Sequence, residues 1–262
     1  MDTLRSIIAT FFDLNAMGQV LPDLLTYGLR NTLILAIRSG ILGTALGMVL
    51  AILGLSRSRW LRLPAKVYTD VFRGLPVIVT ILLIGQGLTP LAQGIFGDSP
   101  YPLGTLAFAL VAAAYIGEIL RAGIQSVEKG QLEASLALGM TRSSAMRLVV
   151  IPQGVRRVLP ALVNQFIALI KDSSLVYFLG LLTTQRELFR IGQDAASNSG
   201  VLSPLVAAGI LYLIITVPLT HAVNYIDRRL RTGRRPGRDA DVEDEPTLPT
   251  EGFVPAAGEG RG

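Results

Sequence analysis

Apolar residues fall in blocks of about twenty, separated by short polar segments, and this pattern decides the architecture. A bilayer crossing needs about 20 predominantly apolar residues. The blocks predict five spans, at about residues 33–55, 68–91, 103–120, 158–182 and 205–225. Period-two alternation is absent, which argues against a closed β-barrel. The fold class expected is therefore an all-α polytopic membrane protein with five transmembrane helices.

Residues 1–27 form a lead ahead of the first span. Ile7, Ile8, Phe11, Phe12 and Leu14 suit a lipid surface, and a floppy terminus is the alternative. Asn31 and Thr32 offer N-cap chemistry for the first span. Glycines at 40, 43, 47 and 54 would let a neighbouring helix approach closely. Arg38 interrupts this span, either snorkelling or facing the bundle interior.

The polar segments alternate in charge. Residues 56–66, 122–157 and 227–238 are rich in Lys and Arg, whereas 92–102 carry none and 183–203 are nearly balanced. By the positive-inside rule the first three are cytoplasmic. The N-terminus is then outside and the C-terminus inside. Residues 28–231 form the membrane domain, and 232–262, rich in Pro, Gly and acidic residues, are expected to be a disordered tail.

One polar segment, Gln131–Pro152, does not belong in lipid. Leu132, Leu136 and Met140 recur at helical spacing, and Gly139 is a natural stop in the C′ position. Thr141 or Ser143 can begin a second helix, which Pro152 ends or bends. This is either an ordinary hairpin loop or a projecting lever whose apolar ridge fits a partner's groove.

Composition narrows the chemistry. Half of the 262 residues are hydrophobic, mean hydropathy is +0.50, and 16% are charged, against roughly a quarter in soluble domains. There is no cysteine, and His221 is the single histidine. No metal site, cofactor or thiol nucleophile is expected, and His221 reads as a residue at the cytoplasmic end of its span. The net charge of +5 is topological; no nucleic-acid partner is expected. The N-terminus lacks the pattern of a signal peptide. None of the three lysines, Lys66, Lys129 and Lys171, follows a glycine, so these residues hold no phosphate-binding G-x-x-x-x-G-K-[ST] loop.

Charges remain inside the apolar blocks: Arg73 near the start of the second, Glu118 and Arg121 at the end of the third, Lys171 and Asp172 in the fourth. Each costs on the order of 2.5–3.5 kcal/mol at mid-membrane, so each needs a partner or a wet cavity. Mutual pairing that only holds the bundle is one reading. The other is a substrate pathway in which Glu118 and Asp172 face a zwitterion at one level, Lys171 orients them, and Asn164 and Gln165 add hydrogen bonds. The interruption at Lys171–Ser174 fits unwound backbone beside such a path.

Several motifs carry a resemblance. Glu133-Ala134-Ser135, then Gly139, then Val149-Val150-Ile151-Pro152 resemble the EAA loop of ABC-importer permeases. The family pattern has Ala, Ile and Leu where this chain has Ser135, Val149 and Ile151. Phe72-Arg73-Gly74-Leu75-Pro76, Glu118-Ile119-Leu120-Arg121-Ala122-Gly123 and Lys171-Asp172-Ser173-Ser174-Leu175 resemble the polar amino acid branch of that family. The likeness covers about residues 26–231.

The resemblance implies a type I ABC importer architecture and a permease subunit that does not itself hydrolyse ATP. It implies as partners a pair of ABC ATPase subunits, a second permease chain (a copy or a paralogue), an extracytoplasmic solute-binding protein and a polar amino acid, all at the lipid bilayer of the bacterial cytoplasmic membrane. Glu133, Ala134, Ser135, Gly139, Ile151 and Pro152 would then be ATPase-coupling residues. Arg73, Glu118, Arg121, Asn164, Lys171 and Asp172 would line the substrate pathway. The competing reading is a proton-coupled secondary transporter that uses Glu118 and Asp172.

Overall fold

The computed structural model describes residues 2–232, with side chains described for 3–228. The tail expected to be disordered lies, from residue 233, outside the described residues. Among these, the chain is helical and contains no strand.

Helix α1 (Asp2–Phe11) turns at Asp13, whose carboxylate caps α2 (Leu14–Asp23) by accepting from the Asn15 and Ala16 amides. The chain then runs through a π turn (Leu24–Gly28) into α3 (Leu29–Gly54) without a break. The expected boundary at residue 27 therefore falls inside a continuous helix. Asn31 and Thr32 are internal, not caps. Their side chains hold another segment: the Asn31 amide donates to the carbonyls of Thr184 and Arg186, and Thr32 accepts from the Leu188 amide.

The second crossing departs from the expected single span over 68–91. Helix α4 (Arg59–Gly74) begins within the segment read as a loop and ends at Leu75-Pro76. The chain resumes as α5 (Val77–Gly87), bent by 104° from α4. Pro76 has no amide hydrogen and biases Leu75 towards extended backbone, so the helix cannot continue through it. A short α6 (Thr89–Phe96) follows.

Helix α7 (Tyr101–Gln125) is the centre of the bundle: 72% of its spanning window is buried, against 28–33% for the other long spans. Gly43 and Gly47 of α3 make this possible. A Cβ on Gly43 would stand 2.7 Å from that of Ala112, and one on Gly47 would stand 3.0 Å from the Ala113 carbonyl oxygen. Phe108, Leu35, Ile81, Leu120 and Ile170 fill the core around it.

After α7 come α8 (Lys129–Ala137), the single turn α9 (Arg142–Ala145), a π turn (Met146–Val150) and α10 (Ile151–Asp172). Of the two outcomes the sequence allowed for Pro152, an end or a bend, it does not end the helix. It stands at the start of α10, and the Ile151 amide donates back to Met146 in the wider π pattern. That extra residue accommodates a proline whose ring would otherwise meet a carbonyl of the preceding turn.

At Ser173 the helix tightens to a 3-10 segment (Ser173–Leu179). The segment 183–203 is more than a loop, since it holds α11 (Leu188–Ser199). Helix α12 (Ser203–Thr232) makes the last crossing. Val20, Leu24, Leu188, Ile191, Ala208 and Leu211 form a second core that joins α2, α11 and α12.

Candidate functional site

Two sites can be built from these elements. The first is the segment from α8 to the start of α10. Helix α8 closes in a paired hydrogen-bond stop: the Gly139 amide donates to Leu136 (3.0 Å) and the Met140 amide to Ser135 (3.2 Å). This Schellman arrangement needs a left-handed residue at C′, and Gly139 has φ +82°. Thr141 then caps α9 by accepting from the Ser144 amide.

The same turn sorts the EAA-like residues by exposure. Ser135 is buried, its hydroxyl donating 2.7 Å to the Gln131 carbonyl. Glu133, Ala134, Ala137 and Gly139 are exposed, and Leu138 is 84% exposed. Ile151 is half-buried beside Ile124, Val127 and Val150, whereas Pro152 is exposed. Small hydroxylated Ser135 is thus the inward anchor, and its neighbours form the outward face.

Besides the apolar contacts with Ile124, this segment is fastened to the bundle by a close backbone crossing. Gly154 of α10 crosses Gly123 of α7 so closely that a Cβ on Gly154 would lie 2.7 Å from the Ile124 Cα. Arg157 also donates a short hydrogen bond to the Ser126 carbonyl.

The second site is a cleft of about 330 Å³ between α3, α4 and α7. Arg62, Lys66, Asp70 and Arg73 enter it from α4, and Glu118 and Arg121 from α7. Arg121 grips Glu118 with both arms, Nε to Oε1 at 3.0 Å and Nη2 to Oε2 at 2.7 Å. Arg73 lies 3.8 Å from the same carboxylate and 5.6 Å above the Tyr115 ring. Four cations face two carboxylates, so the cleft has an excess of positive charge.

Arg73, Glu118 and Arg121 are brought together here; Asn164, Lys171 and Asp172 are not. Gly123 abuts Gly154 and Val158, whereas Gly104 abuts Val176, so α7 and α10 run antiparallel. At 1.5 Å per residue, this register sets Lys171 and Asp172 about 15 Å from the level of Glu118. Lys171 and Asp172 therefore do not share a level with Glu118 and Arg121. Glu118 is oriented by Arg121 and Arg73, and Lys171 forms no ion pair with it. Lys171 and Asn164 are exposed and Asp172 is half-buried.

A buried carboxylate went unrecognised in the sequence. Glu187, 0% exposed, caps α11 by accepting from the Phe189 and Arg190 amides, and Tyr212 donates to it at 3.0 Å. Burial pushes its carboxyl up to about 7, against the pull of the two amides and Tyr212. In sequence it stands next to Arg186 in a charge-balanced stretch, which reads as solvated loop. Its only local signal is its place just before the apolar positions of α11.

Residues 43–232 match the model of the binding-protein-dependent transport system inner membrane component family. This chain belongs to that family. As a member it is a multi-pass membrane protein, in accord with the four long apolar helices and the bent α4–α5 pair among the described residues. Among curated relatives, the arginine transport system permease protein ArtQ of Bacillus subtilis (strain 168) is 34% identical over 84% of this chain and 98% of its own length. The glutamate/aspartate import permease protein GltK of Escherichia coli O157:H7 is 35% identical over 83% and 98%. A solved amino acid ABC transporter with histidines matches at TM-score 0.69 and 33% identity, over 80% of this chain and 95% of that one. The MetNI methionine ABC transporter, at 21% identity, shares the fold with TM-score 0.67, over 79% and 96%.

Proposed function

We propose that this family member is the permease subunit of an ATP-driven importer of polar amino acids, coupled to separate ATPase subunits through α8 and α9. The observation that carries this reading is the outward face of Glu133, Ala134, Ala137 and Leu138, held by the left-handed turn at Gly139. An exposed leucine beside a carboxylate, on a short helix set apart from the spans, suits a groove on a soluble partner. The sequence holds no phosphate-binding loop, so the energy would come from that partner. A pair of ATPase subunits, a second permease chain and an extracytoplasmic binding protein complete the assembly in this reading. The N-terminus is then outside, with α8 and the C-terminus in the cytoplasm.

Relatives named for arginine and for glutamate/aspartate stand at nearly equal identity, which supports polar amino acids as a class. In our reading the cleft of Arg73, Glu118 and Arg121 is one polar station on the path, and Asn164, Lys171 and Asp172 are another. Substrate would act by its differential affinity for inward- and outward-open states.

Co-purification tests the coupling. The intact permease should retain its ATPase, and Glu133→Lys with Leu138→Asp should release it while the permease stays folded. Full retention by the double variant overturns the reading. Uptake into vesicles should need internal ATP and survive collapse of the proton gradient; the opposite result would favour the proton-coupled alternative.

A further inference from the structure

Helix α4 divides into three longitudinal faces. At 100° per residue, Ala65, Tyr68, Thr69 and Phe72 share one face. Ala65 and Thr69 are buried there, and Tyr68 donates 2.8 Å to the Leu110 carbonyl of α7. Arg59, Arg62, Lys66, Asp70 and Arg73 share a second, charged face. The third face carries Trp60, Leu63, Val67 and Val71, and all four are exposed, Trp60 to 89%.

Orientation gives these faces their surroundings. Helix α4 is bent 104° from α5, so it lies nearly perpendicular to a helix that enters the membrane. Ala65 packs against Leu50 and Ala113, and Gly54, the last residue of α3, lies against Arg121. Leu50 lies about one turn before the end of α3 and Ala113 about three turns before the end of α7, so α4 sits in the half of the bundle that carries α8.

We propose that α4 is a membrane-surface helix that binds anionic lipid. Trp60, Leu63, Val67 and Val71 enter the acyl region of the leaflet on the α8 side, and Arg57 and Arg59 hold lipid phosphate. A helix apolar on one flank and basic on the next matches the boundary between acyl chains and headgroups. Arg57 and Arg59 are exposed and form no ion pair among the described residues. Arginine at such a place offers a fork of donors to a phosphate. A soluble partner would bury the four apolar side chains but leave unexplained why the helix lies across the direction of the spans. The proposal requires only that the chain crosses a membrane; it stands whether or not α8 binds an ATPase.

Trp60 is the only tryptophan, so its emission reports on this helix alone. The full chain is reconstituted in phosphatidylcholine vesicles containing lipid brominated near the headgroup end of the acyl chains. We expect Trp60 to be quenched by that lipid and protected from aqueous iodide. Quenching by iodide and not by the lipid would place α4 in water and overturn the proposal. Protection from both would mean that protein covers the helix, for example a second copy, and would also overturn it.

A second arm reads the headgroup. With one fifth of the lipid brominated, brominated phosphatidylglycerol should quench at least twofold more than brominated phosphatidylcholine. Arg57→Gln with Arg59→Gln should abolish that preference while leaving quenching by phosphatidylcholine intact. No preference in the native chain, or an unchanged preference in the variant, overturns the assignment of these arginines.

Discussion

A Cβ placed on Gly123 would stand 2.7 Å from the carbonyl oxygen of Gly154. The backbones of α7 and α10 thus touch where the α8–α9 segment joins the bundle. Backbone cannot move aside as a side chain can, and overpacking of this kind costs about 1–3 kcal/mol. Gly154→Val should therefore lower the thermal midpoint of the purified permease clearly. Gly130→Ala, with open space around it, should leave it unchanged. Equal midpoints for the two variants would show that the contact is not tight.

The turn at Gly139 makes a separate prediction. A side chain in the left-handed region costs about 1–2 kcal/mol, least for Asn. Gly139→Val should weaken retention of the ATPase in a pull-down more than Gly139→Asn does. Because Gly139 has nothing within 4 Å, the defect would come from backbone conformation and not from lost packing. Equal retention by the two variants would contradict this.

Glu187 predicts a pH dependence. Its folded value of about 7 exceeds the ordinary 4.5, so the folded state holds the proton more tightly than the unfolded one. The stabilisation is complete below pH 4.5 and is lost as pH rises through 7. The thermal midpoint in detergent should therefore fall between pH 5.5 and 8. Glu187→Gln should flatten that fall, because the amide keeps the shape without titrating. A native profile that rises over this interval would refute the assignment.

The Glu118 pair predicts a split between stability and transport. Its carboxylate is 28% exposed and Arg121 33%, so the pair contributes at most about 1 kcal/mol. Glu118→Gln should change the thermal midpoint little and reduce amino acid uptake at least tenfold. Normal uptake would remove Glu118 from the proposed substrate path.

The long apolar blocks were legible because length and hydropathy alone specify a crossing. Helix α4 was not, because its arginines look like loop when read by composition. Only a 3.6-residue period puts Ala65, Tyr68 and Thr69 on one buried face. Pro76 marked a break, but nothing local encodes a bend of 104°. The EAA-like turn was visible at Gly139, since left-handed backbone selects glycine. The charges within the apolar blocks were legible one by one, but which of them meet was not, because the register of antiparallel helices depends on distant contacts such as Gly123 with Gly154. Asn31 and Thr32 looked like caps, but their partners lie more than 150 residues away.

The unbroken helix from Arg142 to Leu179, 38 residues in all, bears on how movement at its Arg142 end would travel. Gly154, where it rests on α7, divides it unequally. At about 1.5 Å per residue the arms are about 18 Å and 38 Å. If the rod rocks at that crossing as a stiff body, a displacement of about 1 Å at Arg142 appears as about 2 Å in the opposite direction at the far end. The crossing of two glycines then sets a mechanical gain of about two, and shifting it by one turn along α10 would change how far the outer end swings.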